Sequence, residues 1–305
     1  MPVPILIVAL LVLGGSIALA RRSAFRLRED ALRRLPVGRD GIIPGAHAID
    51  LHVAGSAHAV LLLHGGGDTP QTLQYLAEYL HGNGYNVRAP LLPGHGRTVR
   101  EFSHVAATAW MDAARTAHRD LTARNVWVGV IGLSMGGALA VRLAAADATI
   151  PALALLAPYL SMPRNISFAA RFAALWGVAV PFVRALDPTA RQSIHDPAEV
   201  RRSLAYGVFT PAALRALHTT VARAFEALPR VSSPTLMIQS REDNRIAPGD
   251  AEHAFERLGA RDKQLIWITG AGHVITVDYG RDRVFELVAD WLERHRGAAQ
   301  RDRPA

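Results

Sequence analysis

A strand-like run that passes directly into a helix-like run constrains the fold of this chain more than any other feature. Residues 125–146 read NVWVGVIGLSMGGALAVRLAAA. The apolar, partly β-branched residues 126–131 are typical of a buried parallel strand, and the alanine-rich residues 138–146 are typical of a helix. One hydroxyl, that of Ser134, stands at the junction between Gly132 and Gly136.

The spacing Gly132-x-Ser134-x-Gly136 has two interpretations. It can be a simple turn, because glycine tolerates positive φ and serine hydrogen-bonds its own backbone. It can also be a nucleophile elbow, in which small residues on either side of an exposed serine let a strand and a helix approach closely. The strand before the motif and the helix after it favour the elbow, so we expect Ser134 to be a nucleophile.

Composition and charge limit the classes of protein to consider. The chain has 305 residues, of which 50% are apolar, enough for one large domain or one domain with an insertion. It has no cysteine, which excludes a disulfide framework, cysteine-ligated zinc and thiol catalysis. The formal net charge of +8 comes mainly from residues 1–40 and 294–305. We therefore expect no basic face on the folded body and no nucleic-acid partner.

The N-terminus begins with an apolar run. Residues 3–20 contain no charged side chain, whereas six of residues 21–34 are arginine. Eighteen helical residues reach roughly 27 Å, close to the hydrocarbon thickness of a bilayer. By the positive-inside rule, residues 1–20 are predicted to be an uncleaved single-pass anchor, with residues 21–40 as a basic linker and the folded body in the cytoplasm. The alternatives are a cleaved signal peptide of a secreted protein, since Ala18-Leu19-Ala20 resembles a cleavage site, and a buried helix.

Downstream of residue 40, strand-like and helix-like runs alternate. The predicted strands are residues 58–63, 86–92, 126–131, 152–156, 235–239 and 265–268. The predicted helices are residues 71–81, 105–122, 136–146, 250–258 and 281–295. This alternation predicts an α/β fold, with a mostly parallel sheet covered by helices on both faces.

The alternation of strand-like and helix-like runs stops between residues 161 and 230. This stretch is helical in pattern and contains six prolines. We predict an inserted helical lid at 161–230, between a first core part at 41–160 and a second core part at 231–297, followed by a polar tail at 298–305. The lid is rich in large apolar residues that can form an acyl-binding wall or pack the lid onto the core: Phe168, Phe172, Leu175, Trp176, Val178, Val180, Phe182 and Val183.

A nucleophilic serine needs a general base, and the base needs a third group to hold it. In a parallel sheet such partners gather where the strands end. Glu242 and Asp243 follow the predicted strand 235–239, and His273 lies in a glycine-rich loop after strand 265–268. The order serine, acid, histidine is the order found in α/β-hydrolases, and the spacing leaves both acids open.

Two backbone N–H groups are also needed to stabilise an oxyanion. Met135 follows the candidate nucleophile at the start of the predicted helix and can supply one. Gly66, in the glycine-rich loop after strand 58–63, can supply the other. On its own, that loop is better interpreted as an ordinary glycine turn, but in combination with the elbow the oxyanion role is favoured.

Five motifs in order resemble the monoacylglycerol lipase and small bacterial carboxylesterase branch of the α/β-hydrolases. They are LLLHGGGDTP (61–70), LLPGHG (91–96), GLSMGG (132–137), QSREDNRIAP (239–248) and GAGHVITVD (270–278), within a resemblance that covers residues 57–295. The resemblance implies an α/β-hydrolase fold and a catalytic triad without metal or organic cofactor. It implies Ser134 as nucleophile, Asp243 as acid, His273 as base, and Gly66 and Met135 as oxyanion donors.

One position departs from this branch. Relatives usually carry a bulky residue, often phenylalanine, where this chain has Gly66. The triple glycine is similar to that of hormone-sensitive-lipase-like esterases, but their elbow is usually G-D-S-A-G rather than GLSMG. Because Gly66 has no side chain, we expect extra room at the attacked carbonyl and activity on bulky esters, including those of tertiary alcohols.

The predicted function is hydrolysis of small-molecule or lipid-derived carboxylic esters, by a carboxylesterase or monoacylglycerol-type lipase, through an acyl-enzyme on Ser134. The same triad is compatible with thioester hydrolysis, peroxyacid formation and carbon–carbon bond hydrolysis. A non-catalytic member that keeps the pocket as a ligand receptor is the alternative from a different class. Epoxide and haloalkane hydrolases are disfavoured, since they use aspartate at the position of Ser134.

Overall fold

A seven-stranded sheet forms the centre of the molecule. The computed structural model describes residues 3–31, 36–176, 183–184 and 193–301. The strands of the sheet are β1 (Ile49–Leu51), β2 (His58–Leu63), β3 (Asn86–Ala89), β4 (Trp127–Leu133), β5 (Leu153–Leu156), β8 (Thr235–Ser240) and β9 (Lys263–Ile268). Their order is β1-β3-β2-β4-β5-β8-β9, and only β1 runs antiparallel to its neighbour. The predicted α/β fold with a mostly parallel sheet is confirmed.

Helices cover the sheet. After α1 (Val3–Ala31) they are α2 (Gln74–Gly82), α3 (Val99–Phe102), α4 (Ala107–Thr122), α5 (Met135–Ala144), α6 (Arg164–Arg171), α7 (Ala173–Trp176), α8 (Pro197–Arg202), α9 (Pro211–Ala227), α10 (Pro248–Arg257) and α11 (Arg281–Arg301). Every residue of the central strand β4 is buried, as is every residue of β5 and β8. A strand covered on both faces has no face open to solvent, which is why β4 and β5 contain no polar side chain instead of alternating.

The segment between β5 and β8 does not consist of helices alone. Besides α6, α7, α8 and α9, it contains a two-stranded antiparallel ribbon of β6 (Val183–Arg184) and β7 (Val208–Phe209). Helix α9 buries one apolar face, including Ala213, Leu217 and Val221, against the core. Residues 178, 180 and 182, which were predicted to contribute to an acyl-binding wall, lie outside the described residues.

The N-terminal helix does not have the predicted role. Helix α1 extends for 29 residues, through the apolar run and on into the arginine-rich segment predicted to be a linker. Among the described residues, no helix is long and apolar enough to cross a membrane. The prediction of a single-pass anchor, and of membrane association through residues 1–20, is therefore wrong. The uncharged run spans roughly 27 Å against a hydrocarbon core of about 30 Å.

Candidate active site

Ser134 occupies a strained turn between β4 and α5. Its backbone has φ 54° and ψ −117°, a conformation that residues with a side chain rarely adopt. Gly132 and Gly136 are in close contact across the turn, so a Cβ on Gly132 would overlap the carbonyl group of Gly136. A Cβ on Gly136 would overlap the carbonyl group of Leu63 at the end of β2. The two glycines are therefore required by space, and the turn holds Ser134 where its side chain is partly exposed.

His273 connects Ser134 to Asp243. His273 Nε2 lies 2.8 Å from Ser134 Oγ, and His273 Nδ1 lies 2.8 Å from Asp243 Oδ2. These three residues come from the ends of β4, β8 and β9 and are up to 139 positions apart in the chain. The structure thus brings together the serine, acid and histidine that the motifs predicted.

The Asp243 side chain is fully buried but well supplied with donors. Its Oδ1 accepts the backbone N–H groups of Arg245 (2.7 Å) and Ile246 (3.0 Å), and its Oδ2 accepts Nε2 of Gln239 (2.7 Å). Burial alone would raise the pKa of Asp243, but the neighbouring His273 and these hydrogen bonds together hold its pKa below the usual value. Asp243 is therefore an anion suited to orienting an imidazole.

Glu242, the other acid after β8, points elsewhere. It is exposed, and its Oε2 accepts the backbone N–H of Gly270 at 3.2 Å and the hydroxyl of Ser240 at 3.3 Å. Its carboxylate therefore ties the two loops together at the surface. Of the two acids that the spacing left open, Asp243 is the one whose carboxylate contacts His273.

The glycine-rich loop after β2 lies beside the serine. A Cβ placed on Gly65 would be 3.5 Å from the Cβ of Ser134, and one placed on Gly66 would be 3.6 Å from the Cβ of Met135. Gly66 and Met135 are thus neighbours at the N-terminus of α5. The backbones of Gly66 and Met135, the two predicted oxyanion donors, therefore lie side by side next to Ser134.

Two buried histidines, which the sequence analysis did not assign, hold this loop. His64 Nε2 accepts the N–H of Leu92 at 3.1 Å, and His95 Nε2 accepts the N–H of Gly67 at 3.0 Å. Burial lowers the pKa of His64 far below its usual value and that of His95 to about 4. Both rings are therefore neutral, with Nε2 as acceptor and Nδ1 as donor to a nearby backbone carbonyl. The sequence feature that could have identified them is their position in two of the five motifs, LLLHGGGDTP and LLPGHG.

Comparison with known proteins places this architecture in a family. The model of a hydrolase family described as serine aminopeptidase, S33, matches residues 55–279, which include the glycine-rich loop, the elbow and all three triad positions. The chain belongs to this family.

Relatives of this hydrolase support the predicted branch. Over 238 residues it is 29% identical to a thermostable monoacylglycerol lipase of Bacillus sp. (strain H-257), covering 78% of this chain and 91% of the relative. Over 242 residues it is 27% identical to a carboxylesterase of Bacillus subtilis (strain 168), covering 79% and 94%. A solved structure from work on two metagenome-derived lipolytic enzymes is 30% identical, with a TM-score of 0.75, covering 83% and 100%. The predicted resemblance is confirmed.

Asp278 connects the loop that carries His273 to a segment far away in the chain, residues 195–196. Asp278 Oδ2 accepts the backbone N–H groups of Gly272 (2.7 Å) and His195 (2.8 Å), while Oδ1 accepts the N–H of Asp196 (2.9 Å). Asp278 therefore joins the residue preceding His273 to a segment 82 or 83 positions earlier in the chain. The sequence analysis quoted Asp278 within a motif and gave it no role.

The site contains a second buried carboxyl group. Asp68 is 8% exposed, and its Cβ and Ser134 Oγ are each 3.9 Å from the Cβ position of Gly65. Burial raises the pKa of Asp68 to about 7, against the opposing effects of the Thr69 N–H, the Thr72 side chain and the His273 charge. Among the described residues, no three His, Asp or Glu side chains lie close enough together to hold a metal ion.

Replacing Asp68 with asparagine is expected to stabilise the fold increasingly as the pH rises. Between about pH 4 and pH 7 the unfolded chain has lost the Asp68 proton while the folded protein keeps it, so the wild type loses stability with rising pH. Asparagine has no proton to lose. We expect a gain in free energy of unfolding of about 2–4 kcal/mol at pH 8 and little gain at pH 4.

Urea unfolding at both pH values measures this difference, with Asp290→Asn, on the exposed face of α11, as the matched control. An equal effect of Asp68→Asn at pH 4 and pH 8 would show that Asp68 is not held protonated in the fold.

Proposed function

We propose that this protein is a serine hydrolase of carboxylic esters, a carboxylesterase or monoacylglycerol-type lipase that works through an acyl-enzyme on Ser134. The observation that carries the proposal is the continuous hydrogen-bonded chain from Ser134 through His273 to the buried Asp243, with 2.8 Å at each step. The similarity to a monoacylglycerol lipase and a carboxylesterase supports the ester class.

In the acylation step, Ser134 Oγ attacks the ester carbonyl and His273 Nε2 takes the serine proton. Asp243 accepts the Nδ1–H of the same ring, which fixes the tautomer with Nε2 free and stabilises the imidazolium that forms. His273 then gives the proton to the departing alcohol. Water attacks the acyl-enzyme in the second half-reaction, with His273 as general base, and the acid is released.

The negative charge that develops on the carbonyl oxygen needs donors already in place. In the proposed mechanism these are the N–H groups of Gly66 and Met135, and Met135 is the first residue of the ten-residue helix α5. A helix N-terminus carries unsatisfied N–H groups and a partial positive charge, both of which favour an oxyanion. The neutral imidazoles of His64 and His95 hold the loop that carries Gly66 without adding a competing charge.

Residues 161–230 are proposed as the inserted lid between the two parts of the core, 41–160 and 231–297. Three of its large apolar side chains are exposed: Phe168 (66%), Phe172 (45%) and Leu175 (74%). Phe168 and Phe172 stack on each other with ring centroids 4.8 Å apart instead of packing onto the core. This exposure supports a substrate-binding role over a packing role for these residues.

Covalent labelling tests the proposal. Wild-type protein is expected to react with a fluorophosphonate probe and to hydrolyse p-nitrophenyl esters or monoacylglycerols, while Ser134→Ala should do neither. The exposed Ser232→Ala is the matched control and should label like wild type. Absence of labelling in the wild type would instead favour a ligand-binding member of the fold, and labelling with turnover of thioesters alone would contradict the ester class.

A further inference from the structure

The room that the sequence predicts beside Gly66 is not empty. Gly66 lies outside the left-handed region of φ, so its backbone conformation does not itself require glycine. A Cβ at this position would lie 3.2 Å from Sδ of Met135 and 3.4 Å from Cζ of Phe209. The distance to Met135 is shorter than an ordinary van der Waals contact, and the distance to Phe209 is at the lower limit of one. Gly66 is therefore restricted by neighbouring side chains, one of which comes from a different segment of the chain.

Phe209 lies over the glycine-rich loop. Besides approaching Gly66, its Cε2 and Cζ atoms would each be 3.6 Å from a Cβ on Gly67. The ring also packs edge-on against Phe102, with centroids 5.6 Å apart. The tip of the Phe209 ring thus covers the backbone that carries the proposed oxyanion donor.

Fixed contacts on both sides hold Phe209 in this position. Tyr206 donates its backbone N–H to the carbonyl of Gly67 at 3.0 Å, and its hydroxyl accepts the N–H of Arg97 at 2.9 Å. On the other side, the hydroxyl of Thr210 accepts the N–H of Ala213 at 3.2 Å and caps α9. Tyr206 and Thr210 are each only 2% exposed. The segment is therefore docked onto the core, and Phe209 is part of the site's wall.

We propose that Phe209 is the specificity-determining residue beside the oxyanion hole, supplying from the segment between β5 and α9 the bulk that the loop lacks at Gly66. In this arrangement the ring limits the size of the groups on either side of the attacked carbonyl. The three glycines at 65–67 are then not sufficient to make the site accessible to esters of tertiary alcohols. This inference rests on the proposed ester hydrolase function of the same site.

A double-mutant cycle tests the proposal. Variants Phe209→Ala, Gly66→Phe and the combination are compared on a tert-butyl ester and the n-butyl ester of the same acid. Phe209→Ala is expected to raise the ratio of kcat/KM for the tert-butyl ester to that for the n-butyl ester by roughly tenfold or more. Gly66→Phe alone should lower kcat/KM for both esters, because the new ring meets Met135 and Phe209.

The combined variant gives the decisive result. With the Phe209 ring removed, the ring at position 66 has space, so the loss caused by Gly66→Phe should be smaller than in the wild-type background and the ester ratio should return toward the wild-type value. Phe209→Leu keeps part of the bulk and should give an intermediate ratio. Phe225→Ala is the matched control, since Phe225 packs against His253 and Arg257, and should leave the ratio unchanged.

Two results would overturn the inference: an unchanged ratio in Phe209→Ala and Phe209→Leu, or effects of Phe209→Ala and Gly66→Phe that simply multiply. Thermal unfolding of each variant shows that the comparison is made on folded protein. A wild-type protein that neither labels with fluorophosphonate nor hydrolyses esters would overturn the proposed function itself. If the wild type is active and the Phe209 variants have the same ester ratio as the wild type, only the role of Phe209 is overturned.

Discussion

Replacing Asp243 with asparagine is expected to lower kcat by about 10⁴-fold while leaving the fold intact. The amide keeps the size of the carboxylate, but its NH₂ group cannot accept the Nδ1–H of His273. The imidazole then favours the tautomer protonated at Nε2, which faces Ser134 and can no longer take the serine proton. Steady-state kinetics on a p-nitrophenyl ester measure the loss.

The matched control is Glu242→Gln, one position earlier in the same loop. The side chain of Glu242 is exposed and accepts hydrogen bonds from Gly270 and Ser240, which a glutamine oxygen can also do. We expect kcat to change by only a few fold. If Glu242→Gln caused the larger loss, the assignment of Asp243 as the orienting acid would have to be reversed.

Glu242 and Asp243 also show how much of the site can be predicted from the sequence. The serine, the acid and the histidine each follow a predicted strand, and this placement gave their order in the chain. The sheet confirms the alternation of strands and helices on which the placement was based. The spacing could not separate Glu242 from Asp243, because adjacent loop residues point in different directions and only the folded loop decides which one is turned inward. The family motif selected Asp243, and the structure places its buried carboxylate on His273.

Some contacts between segments far apart in the chain belong to no motif, and the sequence could not predict them. Phe209 lies beside Gly66 although 143 positions separate them. No local sequence pattern indicates that a side chain from one segment will pack against a loop in another. The backbone hydrogen bonds from His195 and Asp196 to Asp278 are of the same kind. A local pattern also gave the wrong prediction at the N-terminus, where the uncharged run has only a marginal length, roughly 27 Å, for a membrane crossing.

Replacing Gly136 with alanine is expected to destabilise the protein by about 3–5 kcal/mol, among the largest effects of a single methyl group. The added Cβ would overlap the carbonyl groups of Leu63 and His64 at the end of β2. These are backbone atoms, and Leu63 is paired with Gly132 of β4, so no rotamer change can relieve the overlap. The strand must move, and the loop that carries Gly66 continues directly from its end.

The same displacement should separate the nucleophile from its oxyanion donor, so Gly136→Ala protein that still folds is expected to label slowly with fluorophosphonate. Urea unfolding and the rate of labelling measure the two effects. Gly249→Ala is the matched control: Gly249 lies in the first turn of α10, a Cβ there meets no atom within 4 Å, and alanine should raise stability by up to about 1 kcal/mol. If both substitutions changed stability alike, the close approach of α5 to β2 would not be what requires glycine at position 136.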